Sequence, residues 1–139
     1  MMRSLLRNRR GGAAVEFALV APTFLMFLFL ILDGGRMVFA RQSLNDLAAS
    51  TARCAAIKAA GCTDASSAQT WAVSRGLNHN NLQVATTDVT ILIGTSCNNV
   101  ANMTKATISI PWKKGAMTLL PQAIAPSTLT SVACFPQMS

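Results

Sequence analysis

The sequence predicts an α+β protein. A long N-terminal helix, transmembrane in its first half and amphipathic in its exported second half, is followed by a second short helix and a small antiparallel sheet of about three strands. Three observations carry this reading. Residues 17–32 (FALVAPTFLMFLFLIL) contain no charged side chain. Apolar residues then recur at helical spacing from Met37 to Cys54. Beyond residue 82 the chain changes to alternating stretches rich in β-branched residues.

The N-terminal helix is read first from charge order. Arg3, Arg7, Arg9 and Arg10 precede the uncharged run, and Leu32-Asp33-Gly34-Gly35-Arg36 follows it. A cleaved secretory signal has the same order, but with an apolar region of about 7–15 residues and a small-x-small exit site. Here the run has sixteen residues and no Ala-x-Ala follows closely. A helix over residues 12–32 is about 31 Å long at about 1.5 Å per residue, which matches a hydrocarbon core of about 30 Å. A retained span is therefore expected. Arg9-Arg10 alone is too common a pair to indicate twin-arginine export.

Glu16 does not suit an inert anchor. A charge at the bilayer centre costs about 2.5–3.5 kcal/mol on insertion scales. The apolar residues after it outweigh that, at about −0.3 to −0.6 kcal/mol for each strongly apolar one. Two explanations of Glu16 stand: a carboxylate that snorkels or pairs with the nearby arginines, or one that meets a specific partner within the membrane. Pro22 removes a backbone donor, which neighbouring helices or water make tolerable in a span.

Past the span, Met37, Ala40, Leu44, Leu47, Thr51 and Cys54 form a stripe, with Arg41, Gln42, Asn45 and Asp46 between them. The stripe is expected to pack on its own domain rather than on another subunit. Gly34-Gly35 softens the junction, and Gly61 reads as the helix stop. Asp64 or Ser66 caps a second helix running to about Gly76, with Ala68, Trp71, Ala72 and Arg75 near one face. Trp71 is expected to anchor the core. Residues 78–81, including His79, read as a solvated loop. Strands are expected over residues 82–93, 104–112 and 128–135, with 94–102 as a loop and Lys113-Lys114-Gly115 as a solvated turn after Pro111.

Charge and cysteine content exclude several functions. The net charge is +7, but from Gly12 onward eight basic residues face five acidic ones. The clustered arginines therefore suit the positive-inside rule, and nucleic-acid binding is not expected. Cys54, Cys62, Cys97 and Cys134 form no CxxC pair, and His79 is the single histidine. No metal or other cofactor is expected. In an exported domain four cysteines read as two disulfides, with three possible connectivities. The favoured set is Cys54–Cys62, closing the long helix onto the next turn, and Cys97–Cys134, tying the loop after the first strand to the last strand. Cys54–Cys97 and Cys54–Cys134 head the alternatives.

Arg9-Arg10-Gly11-Gly12-Ala13-Ala14-Val15-Glu16-Phe17 resembles the processing site of type IV prepilins and pseudopilins. In those families a prepilin peptidase cuts after a glycine, and glutamate is fifth in the mature chain. Glu16 then implies a cut between Gly11 and Gly12. Glu16-Phe17 and the residues up to Pro22 are similar to the opening of TadE/TadF-like pseudopilins of the tight-adherence (Flp) pilus. Asp33-Gly34-Gly35-Arg36, Ala40-Arg41-Gln42 and Ala52-Arg53 are similar to the next section. The family more often has glutamate then an aromatic residue where Asp33-Gly34 stands. The specific motif covers roughly residues 9–53; residues 106–112 resemble the family's C-terminal sheet in pattern only.

The resemblance implies a basic prepilin leader at 1–11, a transmembrane helix at 12–33 and an exported periplasmic domain at 34–139. It implies a minor pilin or pseudopilin, single-pass in the bacterial inner membrane with a cytoplasmic N-terminus, and possible entry into an extracellular pilus. Its partners would be prepilin peptidase, other pilins and pseudopilins, inner-membrane pilus assembly proteins and the lipid bilayer. Glu16, beside Phe17, would pair with the N-terminal amine of a neighbouring subunit. The runner-up is an unprocessed, single-span periplasmic binding module. An anchored enzyme is not expected, since one histidine, few exported carboxylates and no G-x-S-x-G motif leave no nucleophile-base set.

Overall fold

A computed structural model describes residues 10–113, 120–121 and 124–138. Its first element, α1 (Arg10–Ala56), is an unbroken helix of 47 residues, about 70 Å long at about 1.5 Å per residue. It runs without interruption through Pro22 and Gly34-Gly35. The second half bears the expected stripe. Leu44, Leu47, Thr51 and Cys54 are buried, as are Ala48, Ala52, Ala55 and Ala56 beside them. The small alanines let the next layer approach closely.

That layer consists of α2 (Ala65–His79) and a three-stranded antiparallel sheet, β1 (Val89–Cys97), β2 (Val100–Pro111) and β3 (Thr128–Pro136), in the order β1-β2-β3. The predicted fold class is the observed one. Alternation on β2 aims Thr104, Ala106, Ile108 and Ile110 at the core. Val89 and Ile91 of β1 and Leu129 and Ser131 of β3 join them. The register sets Val89 opposite Ile108 and Ser131 opposite the same residue on the other side. Ser131 donates to Asn45 Oδ1 of α1 at 2.7 Å, so this polar residue at the sheet-helix interface is satisfied.

Four local expectations need correction. The long helix ends at Ala56, before Gly61. Lys58 is left-handed at φ 48°, its N–H donates to Ala55 O at 3.4 Å, and Ala59 N–H donates to Cys54 O at 3.1 Å. This is a Schellman closure built on lysine instead of glycine, so the usual sequence signal is missing. The second helix extends to His79 and takes in residues 78–79, expected as loop. Asp64 is its cap, as expected.

Residues 82–88 are not strand. Leu82 and Val84 are buried there, and a 3-10 turn at Thr86–Asp88 follows. Asp88 Oδ2 accepts from Ala85 N–H at 3.0 Å, a local bond that competes with strand pairing. Finally, residues 94–102 are mostly strand. Cys97 pairs with Val100 across a two-residue turn in which Asn98 and Asn99 have φ of 50° and 65°. Asparagine tolerates the two positive φ values that such a hairpin needs. Gly94, at φ 73°, lies where the register shifts between Leu92 and Thr95. Lys114 and Gly115 of the expected turn lie outside the described residues.

Two disulfides close the domain, Cys54–Cys62 and Cys97–Cys134, with Cα separations of 5.7 and 6.4 Å. The first fastens the Schellman turn to the approach to α2. The second joins two strands that are not neighbours in the sheet.

Three measurements check this fold. On the chain-entropy account, a Cys97→Ala/Cys134→Ala double variant, whose partners have a sequence separation of 37, loses about 4 kcal/mol. Cys54→Ala/Cys62→Ala, with a separation of 8, loses about 2.5 kcal/mol in the same denaturant titration. Thr104 is wholly buried, and its hydroxyl has no partner among the described residues. Thr104→Val should therefore stabilise the protein by about 1 kcal/mol, seen as a higher denaturation midpoint at unchanged slope.

The third concerns Asp64. The Ser67 backbone N–H (2.8 Å) and then the Ser66 hydroxyl (2.7 Å) bond its carboxylate and lower its pKa from 3.8 to about 2. The folded value lies below the unfolded one, so the carboxylate stabilises fully above about pH 4. That contribution fades as pH falls toward 2. Thermal melts from pH 5 to 2 should show this slope, and Asp64→Asn should flatten it.

Candidate functional site

The two halves of α1 differ in what covers them. From Gly11 to Phe29 every residue except Ala21 is exposed. Phe17 is 74% exposed and Phe24 60%. A contiguous apolar surface of this extent does not persist in water. The helix is long and apolar enough to cross a membrane, and none of its most apolar window is buried by the rest of the chain. Eleven of residues 17–32 are Phe, Leu, Val or Ile, together favouring insertion by about 3–7 kcal/mol. That exceeds the cost of one carboxylate near an edge.

The polar features of this half gather at its start. Arg10 opens the helix, and Gly11 and Gly12 form the first turn with nothing within 4 Å of where a Cβ would stand. Glu16 and Phe17 are exposed one turn later. Gly12 and Glu16, four apart, share a face about 6 Å apart along the axis. Arg3, Arg7 and Arg9 lie outside the described residues. Pro22 leaves the carbonyl of Ala18 without its helical donor, and the Thr23 hydroxyl folds back onto Leu19 O at 3.4 Å.

At the other end of the apolar run, Arg36 stands 4.0 Å from Asp33. Their i,i+3 spacing places them on one face, where the uncharged segment ends. Among the hollows of the domain beyond them, two bring arginines beside aromatic residues. One, at its far end, has a volume of about 460 Å³ and is lined by Arg53, Ile57, Trp71, Arg75 and Phe135 among others. The Arg75 guanidinium lies 5.0 Å from the Trp71 ring centre. Trp71 packs on the core, as expected, yet stays half-exposed. The other hollow, of about 310 Å³, lies beside the start of the amphipathic half and includes Arg36, Phe39 and Trp112.

The structure thus gathers Gly11, Gly12, Glu16 and Phe17 at one helix end and places the four cysteines far along the chain in the domain. It joins these sets only through α1. Sequence reasoning missed the hollow holding Phe39 and Trp112. Its one local signal, an aromatic residue just after Pro111, gives no hint of its neighbours. Among the described residues no group of three His, Cys, Asp or Glu is placed to hold a metal ion.

Comparison with known proteins bears on the same half of the helix. A family model described as TadE-like protein matches residues 11–53. No curated protein and no solved structure matches the chain. The matched stretch begins at Gly11, contains Glu16 and the whole apolar run, and ends within the buried stripe one residue before Cys54.

Proposed function

We propose that this chain, which carries a TadE-like segment over residues 11–53, is a minor pilin or pseudopilin of a tight-adherence pilus or a related secretion machine. It is a structural subunit anchored in the inner membrane by α1, with the N-terminus cytoplasmic and the domain from residue 34 periplasmic. Prepilin peptidase cuts it between Gly11 and Gly12. Its other partners are pilins, pseudopilins and inner-membrane assembly proteins.

One observation carries the reading: an exposed carboxylate, Glu16, one helical turn after a pair of glycines, in a segment of α1 that is otherwise uncharged and mostly apolar from residue 11 to residue 32. A plain anchor gains nothing from this arrangement. The scissile bond lies in the first turn of α1, so a protease must unwind that turn to reach it. Each glycine weakens the helix there by about 1 kcal/mol relative to alanine, and neither presents a side chain to the enzyme. Cleavage leaves an ammonium at Gly12, four residues before Glu16. In a bundle of such helices within lipid, the carboxylate of one subunit and the amine of the next neutralise each other. A register that leaves either unpaired is penalised. The negative charge also suits the N-terminal end of the helix dipole.

Intact mass and N-terminal sequencing of membrane-purified protein, with and without a prepilin peptidase, test this directly. The expected product starts at Gly12 only when the peptidase is present. An unprocessed start in both strains supports the plain anchored module instead. Glu16→Leu should insert at least as well as the parent but fail to assemble, read as loss of crosslinks to partner subunits at unchanged membrane abundance.

A further inference from the structure

With Glu16 held at the boundary of the hydrocarbon core and not inside it, the uncharged run alone falls short of a crossing. Residues 17–32 span about 24 Å at about 1.5 Å per residue, against a hydrocarbon core of about 30 Å. If Glu16 stays at one boundary of the core, about twenty residues are needed to cross, and the other boundary falls near Arg36. A deficit of this kind is met by local thinning or by drawing flanking residues into the interface. The flank here is the base of the folded domain.

That base has the composition of a membrane interface. Phe39, three residues past Arg36, is 76% exposed, and Val38 beside it is 66% exposed. Trp112, at the end of β2, is half-exposed and lines the same hollow as Arg36 and Phe39. Lys113 follows Trp112 and is exposed. Arg36 keeps 78% of its side chain exposed despite its contact with Asp33. Aromatic residues at headgroup level, with cations beside them, are the usual anchors where a helix leaves a bilayer.

We infer that the base of the domain seats on the phospholipid headgroups of the leaflet from which α1 emerges, with Trp112 and Phe39 at the interface and Arg36 and Lys113 at lipid phosphates. This rests on the reading of α1 as a membrane span. The domain then does not swing freely above the bilayer. Its orientation is set by α1 and Trp112 together, and it presents a fixed side to neighbouring subunits. To leave the membrane, the domain must also give up these lipid contacts.

Tryptophan fluorescence of the full chain in phosphatidylethanolamine/phosphatidylglycerol vesicles tests the inference. Trp71→Phe leaves Trp112 as the sole reporter, and Trp112→Phe leaves Trp71. Phe24→Trp in a background lacking both reports on the span itself. With lipids brominated near the carbonyl, Trp112 should be quenched at least about twofold more than Trp71, and its emission should shift to the blue on reconstitution. Phe24→Trp should respond most to deep bromines. Lys113→Glu should reduce the Trp112 quenching without changing that of Phe24→Trp. If Phe24→Trp is quenched while Trp112 is untouched by lipid and open to acrylamide, the span stands and the seating is overturned. If Phe24→Trp is also untouched by lipid, the membrane span fails and the seating fails with it.

Discussion

The structure depends on one helix burying its second half in the domain while leaving its first half bare. Leu44, Leu47, Ala48, Thr51, Ala52 and Ala55 form a continuous buried face on α1. Sheet and second helix both pack against it. Without that face the three strands have no second layer against which to bury their apolar side. Gly76 shows how close the approach is. A Cβ there would meet Leu47 Cδ2 at 3.3 Å and Leu82 O at 3.2 Å. The helix that organises the domain is therefore also the one that fixes it to the membrane. Span and domain are joined by one continuous helix, with no loop between them.

This continuity explains how so small a domain uses its polar groups and staples. Asn45 and Ser43 on α1 bond to Ser131 and Asn80, respectively, at 2.7 and 3.0 Å. These bonds fix the rotation of sheet and second helix about the α1 axis, which apolar packing alone leaves loosely specified. The disulfides act on the end away from the span. There Cys54–Cys62 reinforces a turn that carries a left-handed lysine, a conformation costing about 1–2 kcal/mol for a residue with a Cβ. At the near end no disulfide is present among the described residues, and the apolar base with Trp112 takes over the closure.

The same geometry separates two kinds of chemistry along one rod. Glycines and a carboxylate lie at the start of the span, where cutting and pairing would occur. The hollow lined by Arg36, Phe39 and Trp112 lies about 30 Å from Glu16, beyond the apolar run. The helix thus converts the sequence spacing of 11–16 and 33–39 into two ends of the apolar segment, at least about 25 Å apart.

The sequence by itself determined the elements governed by local rules. The uncharged run defines the exposed half of α1, the spacing of Met37, Leu44, Leu47, Thr51 and Cys54 defines its buried face, and Asp64 defines the start of α2. Composition, a period near 3.6 and a capping side chain are each readable within one window of residues. The tertiary structure decided what depends on partners distant in sequence or on unusual φ values. Lys58 rather than Gly61 closes the helix, its left-handed backbone returning Ala59 N–H to Cys54 O. Asn98-Asn99 turns a hairpin where a loop was expected, because β1 and β2 pair right up to Cys97 and Val100. Residues 82–88 leave the sheet to cover its end. Trp112 meets Phe39 and Arg36 only because β2 runs back along α1 toward the span, a placement set by strand order and register and by nothing in the residues around it.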